Sequence, residues 1–185
     1  VCSSDLAPMK SIAGMSILIT GGGSGIGRDC ARRFCERGAR VTISGRRMDK
    51  LEAVKAELGA QCEIAQGDVT VQADREMMLT AALHHGDGNL HALINNAANM
   101  YRQPVDGYEE DFLKDAFNTN VVSAMMLSSM AVAPLERTEG AIVFIGSTHT
   151  RRAFPGASPY ATTKAALEGL TKVMAAELGP KKVRT

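Results

Sequence analysis

The chain has 185 residues, 45% of them apolar, enough for one domain with a substantial core and too few for two comfortable ones. With 21 basic against 20 acidic residues and a net charge of +1, it offers no electrostatic case for nucleic acid or an anionic membrane as its main partner. Aromatic residues make up 4% with no Trp, which disfavours a base-stacking platform, and no continuous apolar run reaches the roughly 18 residues of a membrane-crossing helix.

In chain order, short apolar runs alternate with longer helical patterns. The opening Val1-Cys2-Ser3-Ser4-Asp5-Leu6 has no initiator Met, the first being Met9, and reads like a translated sequencing adapter. Residues 1–8 are therefore expected to be a non-native leader and 9–185 the domain. Strands are predicted over 16–20, 40–44, 61–66, 92–95 and 141–145, as near-continuous apolar runs. Helices are predicted over 25–37, 48–58, 70–85, 109–135 and 158–178, several stopped by a glycine. Strict alternation of this kind predicts a doubly wound α/β fold with a parallel sheet covered on both faces. After 178, Gly179-Pro180 ends the last helix, and 183–185 reads as the opening of a further strand, so the chain is expected to be a fragment of a longer reading frame.

Cys2, Cys30, Cys35 and Cys62 form no CxxC pair, and His84, His85, His91 and His149 stand at no zinc-binding spacing. Reduced thiols in a cytoplasmic protein, with no metal site, are the expectation.

Thr20-Gly21-Gly22-Gly23-Ser24-Gly25-Ile26-Gly27 lies between the first strand and the first helix, where a dinucleotide fold grips pyrophosphate. Gly21 permits a tight turn, Gly25 a close backbone approach to phosphate, and Gly27 close helix–sheet packing. The helix N-terminus supplies oriented N–H groups. The Gly-x3-Gly-x-Gly spacing resembles the short-chain dehydrogenase/reductase family, and the resemblance runs from Met15 to Thr185. It implies a Rossmann-like fold and nicotinamide-dependent oxidoreduction.

The second strand ends Ser44-Gly45-Arg46-Arg47. Gly45 stands where an NAD-selective relative would carry a carboxylate for the ribose 2′-OH, and the Arg46 guanidinium suits a 2′-phosphate. This favours NADP(H) over NAD(H). By the resemblance, Asp68 and Val69 border the adenine ring. Asn95-Asn96-Ala97-Ala98 is similar to the family's Asn-Asn-Ala-Gly, with Ala98 in place of Gly, and contributes Asn95 and Ala97. Gly21, Ser24, Gly25, Ile26 and Gly27 complete the expected cofactor contacts, together with Tyr160 and Lys164.

Tyr160 and Lys164 sit four residues apart on one helix face, and a nearby cation favours a phenolate. Asn120, Ser147, Tyr160 and Lys164 match the family's catalytic tetrad in identity, order and spacing. The resemblance implies that Ser147 hydrogen-bonds the substrate oxygen and Tyr160 transfers its proton. It implies that Lys164 holds the nicotinamide ribose and that Asn120 maintains a water-linked proton relay to Lys164. His149, Thr150, Arg151, Arg152 and Phe154 are placed on the substrate side, where the two arginines either meet an anionic substrate or are simply solvated.

The sequence reading is an NADP(H)-dependent enzyme interconverting a secondary alcohol and a ketone or aldehyde. A 3-oxoacyl or enoyl thioester reductase of the same family is the alternative enzyme, and a non-catalytic dinucleotide-binding sensor domain the alternative of another class. Small and Met residues on 109–135 and 158–178 fit either core packing or the dimer face that the resemblance implies, with a homodimer or homotetramer as the expected assembly.

Overall fold

The computed structural model describes residues 11–185. The expected leader, 1–8, with Cys2 and Met9, lies outside the described residues. Five strands, β1 (Ser16–Thr20), β2 (Arg40–Gly45), β3 (Cys62–Gln66), β4 (Ala92–Asn95) and β5 (Ala141–Phe144), form one sheet in the order β3-β2-β1-β4-β5. Every pairing is parallel, with Ile17 opposite Val41 on one side of β1 and opposite Ala92 on the other. The order reverses between β1 and β4, the point at which doubly wound sheets open a crevice beyond their strand ends.

Alternation along the strands divides the core in two. Ile17, Ile19, Val41, Ile43 and Ile94 pack with Ala31 of α1 (Gly25–Cys35) and with Leu51 and Val54 of α2 (Met48–Leu58). On the opposite face, Leu18, Leu93 and Ile142 meet Met78 and Ala82 of α3 (Gln72–His85) and Leu127, Ala131 and Leu135 of α5 (Ser123–Thr138). Leu178, at the end of α6 (Ser158–Leu178), joins this second cluster. The doubly wound fold expected from the sequence is thus the fold observed.

Most boundaries agree within two residues, and three differences have physical reasons. Helix α3 starts at Gln72 rather than 70, because Asp68 Oδ1 accepts from both N–H and O–H of Thr70 and holds the chain in a turn. The long helix expected over 109–135 is α4 (Glu110–Phe117) joined to α5 by a π-helical segment, Asn118–Val122. Such a segment inserts an extra residue per turn and re-aims the side chains it carries. The expected strand after 183 takes the form of one parallel bridge, Ala141 to Arg184, with Ile142 N–H donating to Arg184 O at 2.8 Å.

The continuous helical rod Glu110–Thr138 is long and apolar enough, by length and composition, to cross a membrane. That qualifies the expectation drawn from apolar runs alone. Here the rod lays Ala124, Leu127, Ser128, Ala131 and Leu135 against the sheet, as a core helix does.

Candidate active site

The glycine turn leaves β1 at its carboxyl end. Gly21 has φ +67 and Gly25 φ +54, a region that side chains rarely adopt. An added Cβ at Gly27 would fall 2.4 Å from Gly21 O and 2.6 Å from Asn96 Nδ2, so only glycine lets α1 approach the strand end this closely. Ser24 precedes α1 without capping it, which leaves first-turn N–H groups without a side-chain partner at the helix's positive end.

Asn96 ties this turn to β4 across the switch point. Its Nδ2 donates to Thr20 O at 2.9 Å and Gly21 O at 3.1 Å, and the N–H groups of Asn96 and Ala97 both donate to Thr20 Oγ1. The sequence reading assigns a cofactor contact to Asn95, the first of the asparagine doublet, and none to Asn96. The structure commits Asn95 Nδ2 to Ser128 Oγ at 2.9 Å in the buried core, and its carbonyl accepts from Ile145 N–H.

Between these elements lies a cleft of about 470 Å³. Gly21, Gly23 and Ser24 form one wall, Gly45, Arg46, Arg47 and Lys50 another, and Asp68, Val69, Ala97 and Ala98 the rest. Gly25 and Ile26 stand at the start of α1 outside that lining, Ile26 with its side chain in solvent. No carboxylate occupies position 45. Arg46 reaches Asp68 at 3.7 Å, and the Arg47 guanidinium donates to Ser24 Oγ at 3.4 Å, bringing a second cation to the glycine turn. Arg47, to which the sequence analysis assigns no role, thus places a positive charge beside Ser24. Burial works to raise the Asp68 pKa, but the Thr70 N–H and O–H and the Arg46 charge outweigh it, and the carboxyl sits below the ordinary range. The glycine wall and the two guanidinia fit the phosphates of a nicotinamide dinucleotide.

The catalytic candidates gather beyond β5. Ser147 caps a short 3-10 turn, Thr148–Thr150, and its Oγ accepts the His149 N–H at 3.2 Å. Tyr160 and Lys164 share a face of α6, with Lys164 Nζ 5.8 Å from the Tyr160 ring centre. Lys164 is only 3% exposed and donates to Ile145 O at 2.7 Å, and burial lowers its pKa. Asn120 lies in the π segment, 1% exposed. Its Oδ1 accepts from Asn99 N–H, and its Nδ2 donates to Asn99 O and, at 3.1 Å, to Thr163 Oγ1. Thr163 in turn donates to Tyr160 O at 2.7 Å. Asn120 therefore meets the Tyr160–Lys164 helix through Thr163, the neighbour of Lys164, a linkage that the sequence spacing did not signal.

His149 stacks on Phe154 with ring centres 4.2 Å apart, and meets Tyr160 edge-on at 5.3 Å. Thr150 is held by Glu168 at 2.7 Å, and Arg151, Arg152 and Phe154 face solvent. Among the described residues no group of His, Cys, Asp and Glu could hold a metal ion. Burial pushes the thiols of Cys35 up to about 11 and of Cys62 up to about 12, which leaves both unreactive.

Comparison with known proteins agrees with this geometry. Residues 15–185 match the family model described as short chain dehydrogenase. The chain is 34% identical over 185 residues to D-erythrulose reductase of Gallus gallus, covering 97% of this chain and 71% of that one. It is 34% identical over 176 residues to carbonyl reductase (NADPH) 2 of Sus scrofa, covering 94% and 70%. Among solved structures, 3-ketoacyl-(acyl-carrier-protein) reductase from Brucella melitensis complexed with NADH superposes with a TM-score of 0.89 at 28% identity, covering 95% of this chain and 74% of that one.

Proposed function

The chain belongs to the short-chain dehydrogenase family of oxidoreductases, and we propose that it interconverts a secondary alcohol and a ketone or aldehyde with NADP(H). The fold is one that binds nicotinamide dinucleotides. The observation that carries the catalytic reading is the buried Lys164 ammonium beside the Tyr160 ring, with Asn120 joined to the same helix through Thr163. Preference for the phosphorylated cofactor rests on Arg46 and Arg47 flanking a strand end whose position 45 is glycine.

When bound, a nicotinamide cofactor would supply the hydride for reduction and accept it in oxidation. Tyr160 Oη gives a proton to the substrate oxygen in reduction and takes it back in oxidation. Ser147 Oγ–H donates to the same oxygen and orients it. Lys164, fixed by Ile145 O, provides the positive charge that supports a tyrosine oxyanion, and would hold a hydroxyl of the bound cofactor. Asn120, locked by Asn99 and Thr163, keeps the π segment in register with α6. The first turn of α1, Asp68, Val69 and Ala97 would hold the dinucleotide.

The names of relatives that are reductases of sugars and carbonyl compounds support small carbonyl substrates. Acyl thioesters remain the second enzymatic reading, favoured by the match to a 3-ketoacyl carrier-protein reductase. We place the protein in the cytoplasm, in keeping with free thiols at Cys30, Cys35 and Cys62. A homodimer or homotetramer is supported by exposed Phe117, Val122, Met125, Met126 and Val173 on the long helices.

The test is carbonyl-dependent NADPH oxidation with a panel of ketones, aldehydes and 3-oxoacyl and enoyl thioesters, with Tyr160→Phe beside the parent. Turnover with ketones or aldehydes that Tyr160→Phe abolishes while NADPH still binds is expected. Turnover with thioesters alone selects the second reading. NADPH binding without turnover on any substrate, unaltered by Tyr160→Phe, would point to a sensor.

A further inference from the structure

We propose that His149 is a positioning residue that turns the Ser147 hydroxyl outward, toward the substrate oxygen. The inference rests on the reading of Ser147 given above and adds to it a residue outside the tetrad.

His149 Nδ1 lies 3.2 Å from Ser147 Oγ, and His149 N–H also donates to that oxygen at 3.2 Å. The second ring nitrogen, Nε2, is buried and has no hydrogen-bond partner among the described residues. A neutral imidazole carries one proton, on one nitrogen or the other. Placed on Nε2, that proton becomes a buried donor with nothing to meet, and a buried orphaned N–H is the more costly kind of unpaired group. On Nδ1 it is used at once, because Ser147 Oγ is within reach. The Nδ1–H tautomer therefore prevails.

The consequence falls on Ser147. An oxygen with two lone pairs receives two donors from one residue, the main-chain N–H and the ring Nδ1–H of His149. Its capacity to accept is filled, and its own proton cannot point back to His149. That proton is left for a third partner. A carbonyl oxygen bound beside Tyr160 is such a partner, and the hydroxyl is oriented before substrate arrives rather than by it. In the other tautomer Nδ1 would accept the Ser147 proton and draw it away from the substrate.

The ring is held for this task from two sides. Phe154 stacks on it at 4.2 Å with the planes 28° apart, and Tyr160 meets it edge-on at 5.3 Å. His149 thus touches both residues that the proposed function assigns to the substrate oxygen.

The experiment combines ¹⁵N spectra of histidine-labelled protein with turnover of Ser147→Ala, His149→Phe, His149→Asn and the Ser147→Ala/His149→Phe double variant. Phe keeps the stack and loses the donor; Asn places an N–H₂ close to where Nδ1 stood. We expect the His149 signals, identified by their loss in His149→Asn, to show a protonated Nδ1 and a bare Nε2. His149→Phe should lower kcat about tenfold, less than the ~100-fold loss in Ser147→Ala, with the NADPH Kd and Tm retained. His149→Asn should recover most of the loss, and His149→Phe should cost nothing further on the Ser147→Ala background. A protonated Nε2 overturns the inference. So do losses that add in the double variant, with Ser147→Ala impaired alone, and the reading of Ser147 then stands. Unimpaired Ser147→Ala overturns the reading of Ser147, and the inference with it.

Discussion

Lys164 Nζ stands 5.8 Å from the centre of the Tyr160 ring, held there by a 2.7 Å hydrogen bond to Ile145 O at the end of β5. One strand end and one helix face thus fix a buried ammonium against a phenol. The charge has lost most of its water, and what replaces it is a carbonyl and the face of a ring. A site that keeps a cation in such a place gives up stability to hold it.

That cost depends on pH. Burial lowers the folded-state pKa of Lys164 below the ordinary lysine value of 10.5. Below the folded pKa both states carry the proton and the full cost is felt. Between the folded pKa and 10.5 the folded chain has shed its proton while the unfolded chain keeps it, so the cost fades as pH rises. Lys164→Met should therefore gain in stability relative to the parent most at neutral pH, and the difference should shrink toward pH 10.5. Urea unfolding of both proteins across that range measures it, and a difference that stays flat with pH would contradict it.

Arg46 and Arg47 approach the cleft from the loop after β2, one paired with Asp68 and the other with Ser24. Each guanidinium that meets the 2′-phosphate contributes a charge-assisted hydrogen bond absent with NADH. Arg46→Ala and Arg47→Ala should each weaken NADPH binding about tenfold and leave NADH binding within about twofold. Fluorescence titration of each variant with both cofactors is the check, and equal losses for the two would exclude a phosphate-reading role.

Asn96 joins the glycine turn to the strand beyond the switch point with hydrogen bonds to Thr20 O and Gly21 O. Asn96→Ala removes both donors and should cost about 2 kcal/mol of stability. Cofactor affinity should fall as well, because the turn loses the brace that fixes its N–H groups. Chemical denaturation together with NADPH titration would reveal whether the two effects travel together.

Gly27 is the tightest contact in the same turn, its Cα facing Gly21 O across a gap that a methyl cannot enter. Gly27→Ala should destabilise the chain by about 2 kcal/mol through overpacking. A melting temperature equal to the parent's would show that α1 can retreat from the strand end at no cost.

Most of the fold was legible because its signals are local. Ser16–Thr20 has an unbroken apolar centre, Ile17 to Ile19, and proves buried at every position, and the strand–turn–helix at Gly21–Gly27 declares itself by residue type. The nearness of Tyr160 and Lys164 was legible from spacing, since α6 forces both onto one face. What escaped depends on contacts between distant segments. Nothing near Asn118 announces a π segment, which follows from how the rod packs on the sheet and on α6. The division of labour between Asn95, turned to Ser128, and Asn96, turned to the glycine turn, is set by the two faces of β4's end. The approach of Arg47 to Ser24 depends on the fold of the loop after β2, and the Phe154 and Tyr160 rings reach His149 only in the folded chain.

The most direct measurement is a parallel fluorescence titration of the chain with NADPH and NADH at one fixed salt concentration. NADPH binding at least about tenfold tighter than NADH is the result expected from two guanidinia beside Gly45. Equal or tighter binding of NADH, or no binding of either, would contradict the account.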